Sequence, residues 1–332
     1  MARETGAREL GGTGLTISAV GFGSWVTGGP GVMGWGAQSD DESVAAIHRA
    51  LDGGVNWIDT APVYGFGHAE EVVGRALAAL PPADRPLVFT KCGLVWDDDG
   101  VEGQDLTPGS IRRECDDSLR RLGVDHLDLY QIHAPDPNGP PIEESWGTVL
   151  ELLAAGKVRH AGVSNLDVGL LDRCEAVGHV ETLQPPLSLI RRDAAADVIP
   201  WCARNGTGVL VYSPMGAGLL TGAFTAERAA SLPADDWRSR NPDYQSPALE
   251  RNLALQDALR PIAARHGVPV GAVAIAWTTS VPGVSTAIAG ARTPAQVDGW
   301  LPATTLHLWP DDLAEISSAV RATGAGSGPV VP

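Results

Sequence analysis

Apolar residues in this chain come in short runs rich in Val, Ile and Leu, and each run gives way to a longer stretch with helical spacing. After a polar start that predicts a hairpin, SAVGFGSW (18–25) reads as a strand, and a Gly-rich loop leads to a helix near Asp40 and Asp41. VNWIDT (55–60) precedes a helix from His68, LVFTK (87–91) one from Thr107 and Pro108, and LDLYQIH (127–133) one from Ile142. VRHAGVS (158–164) precedes a helix near Val168 and TLQP (182–185) one near Val198. GVLVYS (208–213) runs into a long irregular stretch, and VSTAIAG (284–290) supplies an eighth strand. Buried strands alternating with amphipathic helices are the pattern of a parallel sheet closed by crossover helices. Eight such units predict an α/β fold, a (β/α)8 TIM barrel with a short N-terminal hairpin and extended loops at its C-terminal face. No linker divides it, so residues 1–332 read as one domain ending in a flexible tail over about 323–332.

Composition narrows the function classes. With 44% apolar and 19% charged residues, the chain has enough core-forming side chains for a globular fold rather than disorder. No apolar run is long enough to span a bilayer, and MARETGAREL lacks the apolar core of a signal peptide, so a cytoplasmic location is expected. Cys92, Cys115, Cys174 and Cys202 lack metal-ligand spacing and read as reduced packing thiols; no metal is expected. A net charge of −16 argues against nucleic acid and anionic membranes as partners, because both require a basic surface.

Candidate chemistry sits where strands end, since barrel enzymes work on the loops after their strands. Asp59, Lys91 and His133 end the second, third and fourth strands, and Tyr64 lies in the loop after the second. Singly, such an aspartate is often a local cap, a loop tyrosine packing, and a histidine a core residue. Together on three successive strand ends they define a site. Lysine occurs only at Lys91 and Lys157 among 24 basic residues, so a lysine at a buried strand end suggests a compact charge that arginine could not supply. A tyrosine hydroxyl ordinarily titrates near pH ~10, and a neighbouring ammonium held by a carboxylate is expected to lower that value. Tyr64 then reads as a general acid/base and His133 as the group that orients a carbonyl oxygen, a set suited to hydride transfer.

With DTAPVYG, the Lys of LVFTK, the His of LDLYQIH, GKVRHAGVSN, VYSPMGAGLLTG and AGARTPAQV in order over about residues 8–300, the chain resembles the aldo-keto reductases. It looks most like bacterial members with a YGFGxxEE loop, here residues 64–71. The resemblance implies a catalytic tetrad of Asp59, Tyr64, Lys91 and His133, and NADPH, or less readily NADH, held without a Rossmann fold. It places Gly23, Ser24 and Trp25 beside the cofactor, Ser164, Asn165 and Gln184 at the carboxamide, and Tyr212 on the nicotinamide ring. Backbone of Ser213, Met215, Gly216, Gly218 and Leu220 would meet the pyrophosphate. Arg292, near Gly290, would take the 2′-phosphate and Gln296 the adenine. Leu187 and Trp300 depart from the family pattern, the second at a position where many members carry an adenine-binding asparagine.

GPGVMG (29–34) satisfies the GxGxxG pattern, yet WGAQSDD intervenes before any helix begins, so it is not a dinucleotide fingerprint. Trp25, Trp35, Phe66 and Trp96 lie on loops where they would wall an apolar or sugar-stacking pocket. The acidic run 97–99 would repel anions if it faces the mouth, and it reads equally as a solvated tip. A neutral aldehyde, ketone or keto-sugar is the expected small-molecule partner. Two alternatives stay open from sequence: a cofactor-binding regulatory subunit of the same fold, and a Schiff-base aldolase using Lys91. Oligomeric state is not legible.

Overall fold

The computed structural model describes residues 6–30, 34–97, 99–234 and 236–330. A hairpin of β1 (Ala7–Glu9) and β2 (Thr16–Ser18) opens the chain. Then come β3 (Val20–Gly23), α1 (Asp40–Asp52), β4 (Trp57–Asp59), α2 (His68–Ala78) and β5 (Leu87–Cys92). A second hairpin, β6 (Leu94–Trp96) and β7 (Glu102–Gln104), precedes α3 (Pro108–Leu122). The alternation resumes with β8 (Leu129–Ile132), α4 (Ile142–Ala154), β9 (Ala161–Ser164), α5 (Val168–Glu175), β10 (Thr182–Gln184), α6 (Val198–Asn205) and β11 (Gly208–Val211). After the long stretch holding α7 (Ala226–Ala230), α8 (Ala248–Ala258), α9 (Arg260–His266) and α10 (Val270–Ser280), β12 (Thr286–Gly290) leads to α11 (Pro294–Asp298) and α12 (Pro310–Thr323).

Strands β3, β4, β5, β8, β9, β10, β11 and β12 close into a parallel barrel, as the eight-unit pattern predicts. Both faces of these strands are buried, which is why they read as apolar runs rather than alternating ones. Trp57, Phe89, Leu129, Leu210 and Ile288 fill the interior, and Leu10 and Ile17 of the first hairpin join the same cluster. Gly21 makes room for this filling: a Cβ there would lie 2.2 Å from the Trp57 ring. Helix starts follow local chemistry. Thr107 caps α3 ahead of Pro108, Ser39 caps α1 ahead of Asp40, Asp41 and Glu42, and the left-handed Gly123 ends α3.

The stretch read as a flexible tail is held down through Pro329. Arg192, 4% exposed, donates to the carbonyl oxygens of Ala325, Gly328 and Pro329, and Ser327 Oγ donates to Asp193 Oδ2 at 2.6 Å. Its small and polar composition carried no sign of this, because the anchor lies over 130 residues away. In the GPGVMG stretch, residues 31–33 lie outside the described residues, as does Asp98; the next helix starts only at Asp40. Among the described residues no helix is long and apolar enough to cross a membrane, and no cluster of His, Cys, Asp or Glu could hold a metal.

Candidate active site

The site begins with the loop between β4 and α2. Tyr64 N–H bonds back to Ala61 O and Gly67 N–H to Pro62 O, so the chain coils tightly before the helix. Gly65 (φ +63°) allows the loop to press on the segment after β3, since a Cβ would lie 1.9 Å from Gly28 O. Glu70, in the first turn of α2, fixes the helix from below. Its fully buried carboxylate accepts from Thr90 Oγ1 at 2.6 Å and from Arg121 Nε at 2.7 Å.

Lys91 Nζ is the hub. It donates to Asp59 Oδ1 at 2.6 Å and to Thr60 O at 2.9 Å, and lies 3.4 Å from Tyr64 Oη. Lys91 is 0% and Asp59 3% exposed, so the pair is fully desolvated, while Tyr64 and His133 stay half-buried. The Tyr64 and His133 rings meet edge to face, 5.8 Å apart. The structure thus brings all four strand-end candidates together.

Electrostatics corrects one expectation. Burial pushes the Tyr64 hydroxyl up, Lys91 pulls it down, Asp59 pushes it up again, and the sum lies above the ordinary value rather than below it. The ammonium acts in the expected direction but does not outweigh desolvation. Burial also works against the Lys91 ammonium, yet Asp59 and Tyr64 more than offset it and its pKa is raised. His133 is held well below its ordinary value, first by burial and then by Lys91, so it stays a neutral imidazole.

Beside this set, side-chain amides and hydroxyls hold one another. Gln184 Nε2 donates to Asp59 Oδ2 at 2.8 Å, giving the carboxylate's second oxygen a partner. Ser164 Oγ donates to Gln184 O, Asn165 Nδ2 to His133 O and Ser164 Oγ, and Tyr212 Oη to Asn165 Oδ1 at 2.9 Å. Asn165 sits at φ 60°, a left-handed position asparagine tolerates. Gly23 and Gly290 pair in register at the mouth, and the buried Ser24 hydroxyl next to them has no hydrogen-bond partner among the described residues.

The remaining predicted residues make contacts within the chain. In the 213–222 segment the N–H groups of Gly216, Gly218 and Leu220 close turns within the segment, onto Ser213 O and Met215 O. Leu220 is fully buried. Arg292 reaches across to the loop before α1: Nε donates to Gln38 Oε1 at 2.6 Å, and the other nitrogens donate to Trp35 O and Ala37 O. Gln296 Oε1 accepts from Arg292 N–H at 2.7 Å. Trp300 faces the core, 1% exposed, and Leu187 is equally buried.

Aromatic rings surround the mouth. Trp25 lies 6.4 Å from Tyr64, 5.3 Å from Trp35 and 5.8 Å from Trp237, with the Trp237 ring stacked. Trp35 carries the Arg238 guanidinium on its face at 4.6 Å. Phe66 and Trp96 pair 5.7 Å apart on the neighbouring side. Asp97 Oδ1 accepts from Asp99 N–H and Val101 N–H, which turns that acidic residue into the cap of the hairpin tip. Sequence reading missed Trp237, Arg238, Gln38 and the bond from Gln184 to Asp59. A tryptophan in the irregular stretch after β11 was the only visible signal.

A closed parallel barrel with an ionisable set at the C-terminal ends of its strands defines a TIM-barrel enzyme scaffold. The chain belongs to the aldo/keto reductase family, whose family model matches residues 19–321. It is 36% identical over 312 residues to the aldo-keto reductase YhdN of Bacillus subtilis, covering 94% of this chain and 92% of that protein. It is 32% identical over 314 residues to the NADH-specific methylglyoxal reductase of Escherichia coli, covering 90% and 93%. Among solved structures, the glycerol dehydrogenase of Gluconobacter oxydans superposes with a TM-score of 0.88 at 38% identity, over 99% of both chains. An aldo/keto reductase from Klebsiella pneumoniae in complex with NADP and acetate gives 0.71 at 26% identity, over 97% of this chain and 96% of that one. The chain is thus an oxidoreductase of a family that uses nicotinamide cofactors.

The residues present fit that group. A Cβ on Gly23 would meet Ile288 Cγ2 at 2.6 Å and one on Gly290 would meet Gly23 O at 3.0 Å, so this part of the mouth is bare backbone. The buried Ser24 hydroxyl, without a hydrogen-bond partner among the described residues, offers a hydrogen bond next to it.

Proposed function

We propose that this protein is an NADPH-dependent carbonyl reductase acting on a neutral aldehyde, ketone or keto-sugar, with Tyr64 as the general acid. The observation that carries the reading is Lys91 Nζ held at once by Asp59 Oδ1, Thr60 O and Tyr64 Oη, with a neutral His133 beside the phenol. When bound, the cofactor supplies the hydride.

The chain supplies the rest. Tyr64, protonated at neutral pH like any tyrosine and held so more firmly by burial, gives its proton to the substrate oxygen as negative charge develops there. Lys91 stabilises the phenolate left behind, and Asp59 keeps Lys91 aimed and charged. Neutral His133 donates a hydrogen bond to the same oxygen without competing as an acid. Asn165 and Ser164 would hold the nicotinamide amide, and Tyr212 its ring. Gln184, turned toward Asp59, supports the acid instead. Trp25, Trp35, Phe66 and Trp96 wall the substrate side, joined by Trp237.

NADPH is favoured over NADH because Arg292 is a cation near Gly290 that can exchange its neutral loop acceptors for a phosphate. The Schiff-base alternative is disfavoured by Lys91 itself: an ammonium whose pKa is raised and whose protons are engaged by Asp59 and Thr60 is not a free nucleophile.

The test is oxidation of NADPH, followed by absorbance, with a panel of neutral carbonyls. Tyr64→Phe should lower kcat by about 10²-fold or more while leaving cofactor binding intact. Undiminished turnover in Tyr64→Phe would remove the assigned acid.

A further inference from the structure

The hairpin of β6 and β7 rises between the two loops that carry Tyr64 and His133. On one side Trp96 packs against Phe66, two residues from Tyr64, and Gly100 faces the same ring. On the other, Gln104 Nε2 donates to Pro135 O at 3.1 Å, two residues beyond His133. The hairpin has little else to hold it, since its strands are short and none of their residues is buried.

Its base is pinned at Gly93. That residue turns at φ +94°, and a Cβ would lie 2.3 Å from Leu106 Cδ2, so the backbone pivots where no other residue fits. Gly93 O accepts from Asp105 N–H at 3.1 Å, which closes the hairpin. Gly93 N–H donates to Glu114 Oε2 at 2.9 Å, and Glu114 Oε1 accepts from Ser110 Oγ at 3.1 Å. Glu114 is 9% exposed and belongs to α3, so the bond ties the pivot to the rigid helical layer of the barrel.

We propose that Glu114 is a positioning residue for substrate: by anchoring Gly93 it fixes the β6–β7 hairpin as a wall of the substrate site and thereby sets KM. This rests on the carbonyl-reductase reading above. A buried carboxylate is a costly anchor, and its surroundings show how the cost is contained. Its pKa is raised to about 7: burial raises it most, the bonds from Gly93 and Ser110 lower it, Asp105 raises it and Arg113 lowers it. Cys92 on β5, Cys115 on α3 and Tyr130 on β8, the other titratable groups around it, are all shifted upward by burial and stay neutral. Charged or protonated, Glu114 keeps an oxygen that accepts from Gly93, so an amide can replace it and a methyl group cannot.

The experiment compares the full-length parent with Glu114→Ala, Glu114→Asp and Glu114→Gln in steady-state reduction of a neutral carbonyl panel at saturating NADPH. Glu114→Ala should raise carbonyl KM about fivefold while kcat stays within about twofold, the size of effect one hydrogen bond carries, with NADPH affinity unchanged. Glu114→Gln should restore the parental KM. If Glu114→Ala does not fold, Glu114→Asp, one methylene short of Gly93, is read in its place. An active parent whose KM is unmoved in the Ala or Asp variant overturns the assignment, as does a Gln variant as impaired as Ala. A parent that turns over no carbonyl sinks the reductase reading, and the positioning role falls with it.

Discussion

Asp59 uses both of its oxygens: Lys91 takes one and Gln184 the other. A buried carboxylate is tolerated when each lone pair it turns to the protein meets a donor, and here one donor is charged and one neutral. Gln184→Leu keeps the volume and removes the donor, leaving Oδ2 unpaired at a site 3% exposed. The expected loss of stability is about 1–3 kcal/mol, read from urea midpoints at unchanged m-value. An unchanged midpoint would show that Asp59 does not depend on this bond. At this scale the sequence was informative about Asp59, Lys91 and His133, because each ends a recognisable apolar run. It was silent about the bond from Gln184 to Asp59, which joins residues 125 positions apart in the chain.

At the scale of elements, the contact between α3 and the β6–β7 hairpin carries a pH dependence. Glu114 titrates at about 7 in the folded protein against 4.5 ordinarily, so the folded state binds its proton more tightly than the unfolded state does. Its contribution to stability is therefore fully present below about pH 4.5 and is lost as pH rises through 7. The whole shift corresponds to roughly 3 kcal/mol as an upper bound. Glu114→Gln, which stays neutral, should unfold at higher urea than the parent at pH 8, with the gap closing toward pH 5. A gap independent of pH would contradict the raised pKa. The strands and helices themselves were legible from period and caps: Thr107 with Pro108 starts α3, and Gly123 ends it. The hairpin after β5 was not, because short half-exposed strands carry no periodic signal.

Across the whole molecule, Arg292 joins the end of β12 to the loop before α1, more than 250 positions away, through Gln38, Trp35 and Ala37. In a chain of net charge −16, a cation at the mouth is a scarce local attraction for a cofactor phosphate. Arg292→Ala should weaken NADPH binding by about tenfold and leave NADH binding within about twofold, measured by quenching of tryptophan fluorescence. Equal NADPH affinity in parent and variant would leave Arg292 only its structural contact with the loop.

The order of strands and helices, the closure of eight units and the strand-end positions of Asp59, Lys91 and His133 were written in the sequence. Periodicity and capping act over a few residues, and a linear reading captures them. The tertiary structure alone decided the balance between burial and Lys91 at Tyr64, the partner of Gln184, the meeting of Trp237 with Trp25, and the docking of the C-terminal stretch on Arg192. Each depends on desolvation or on contact between segments far apart in the chain, and those are properties of the packed barrel rather than of any local run of residues.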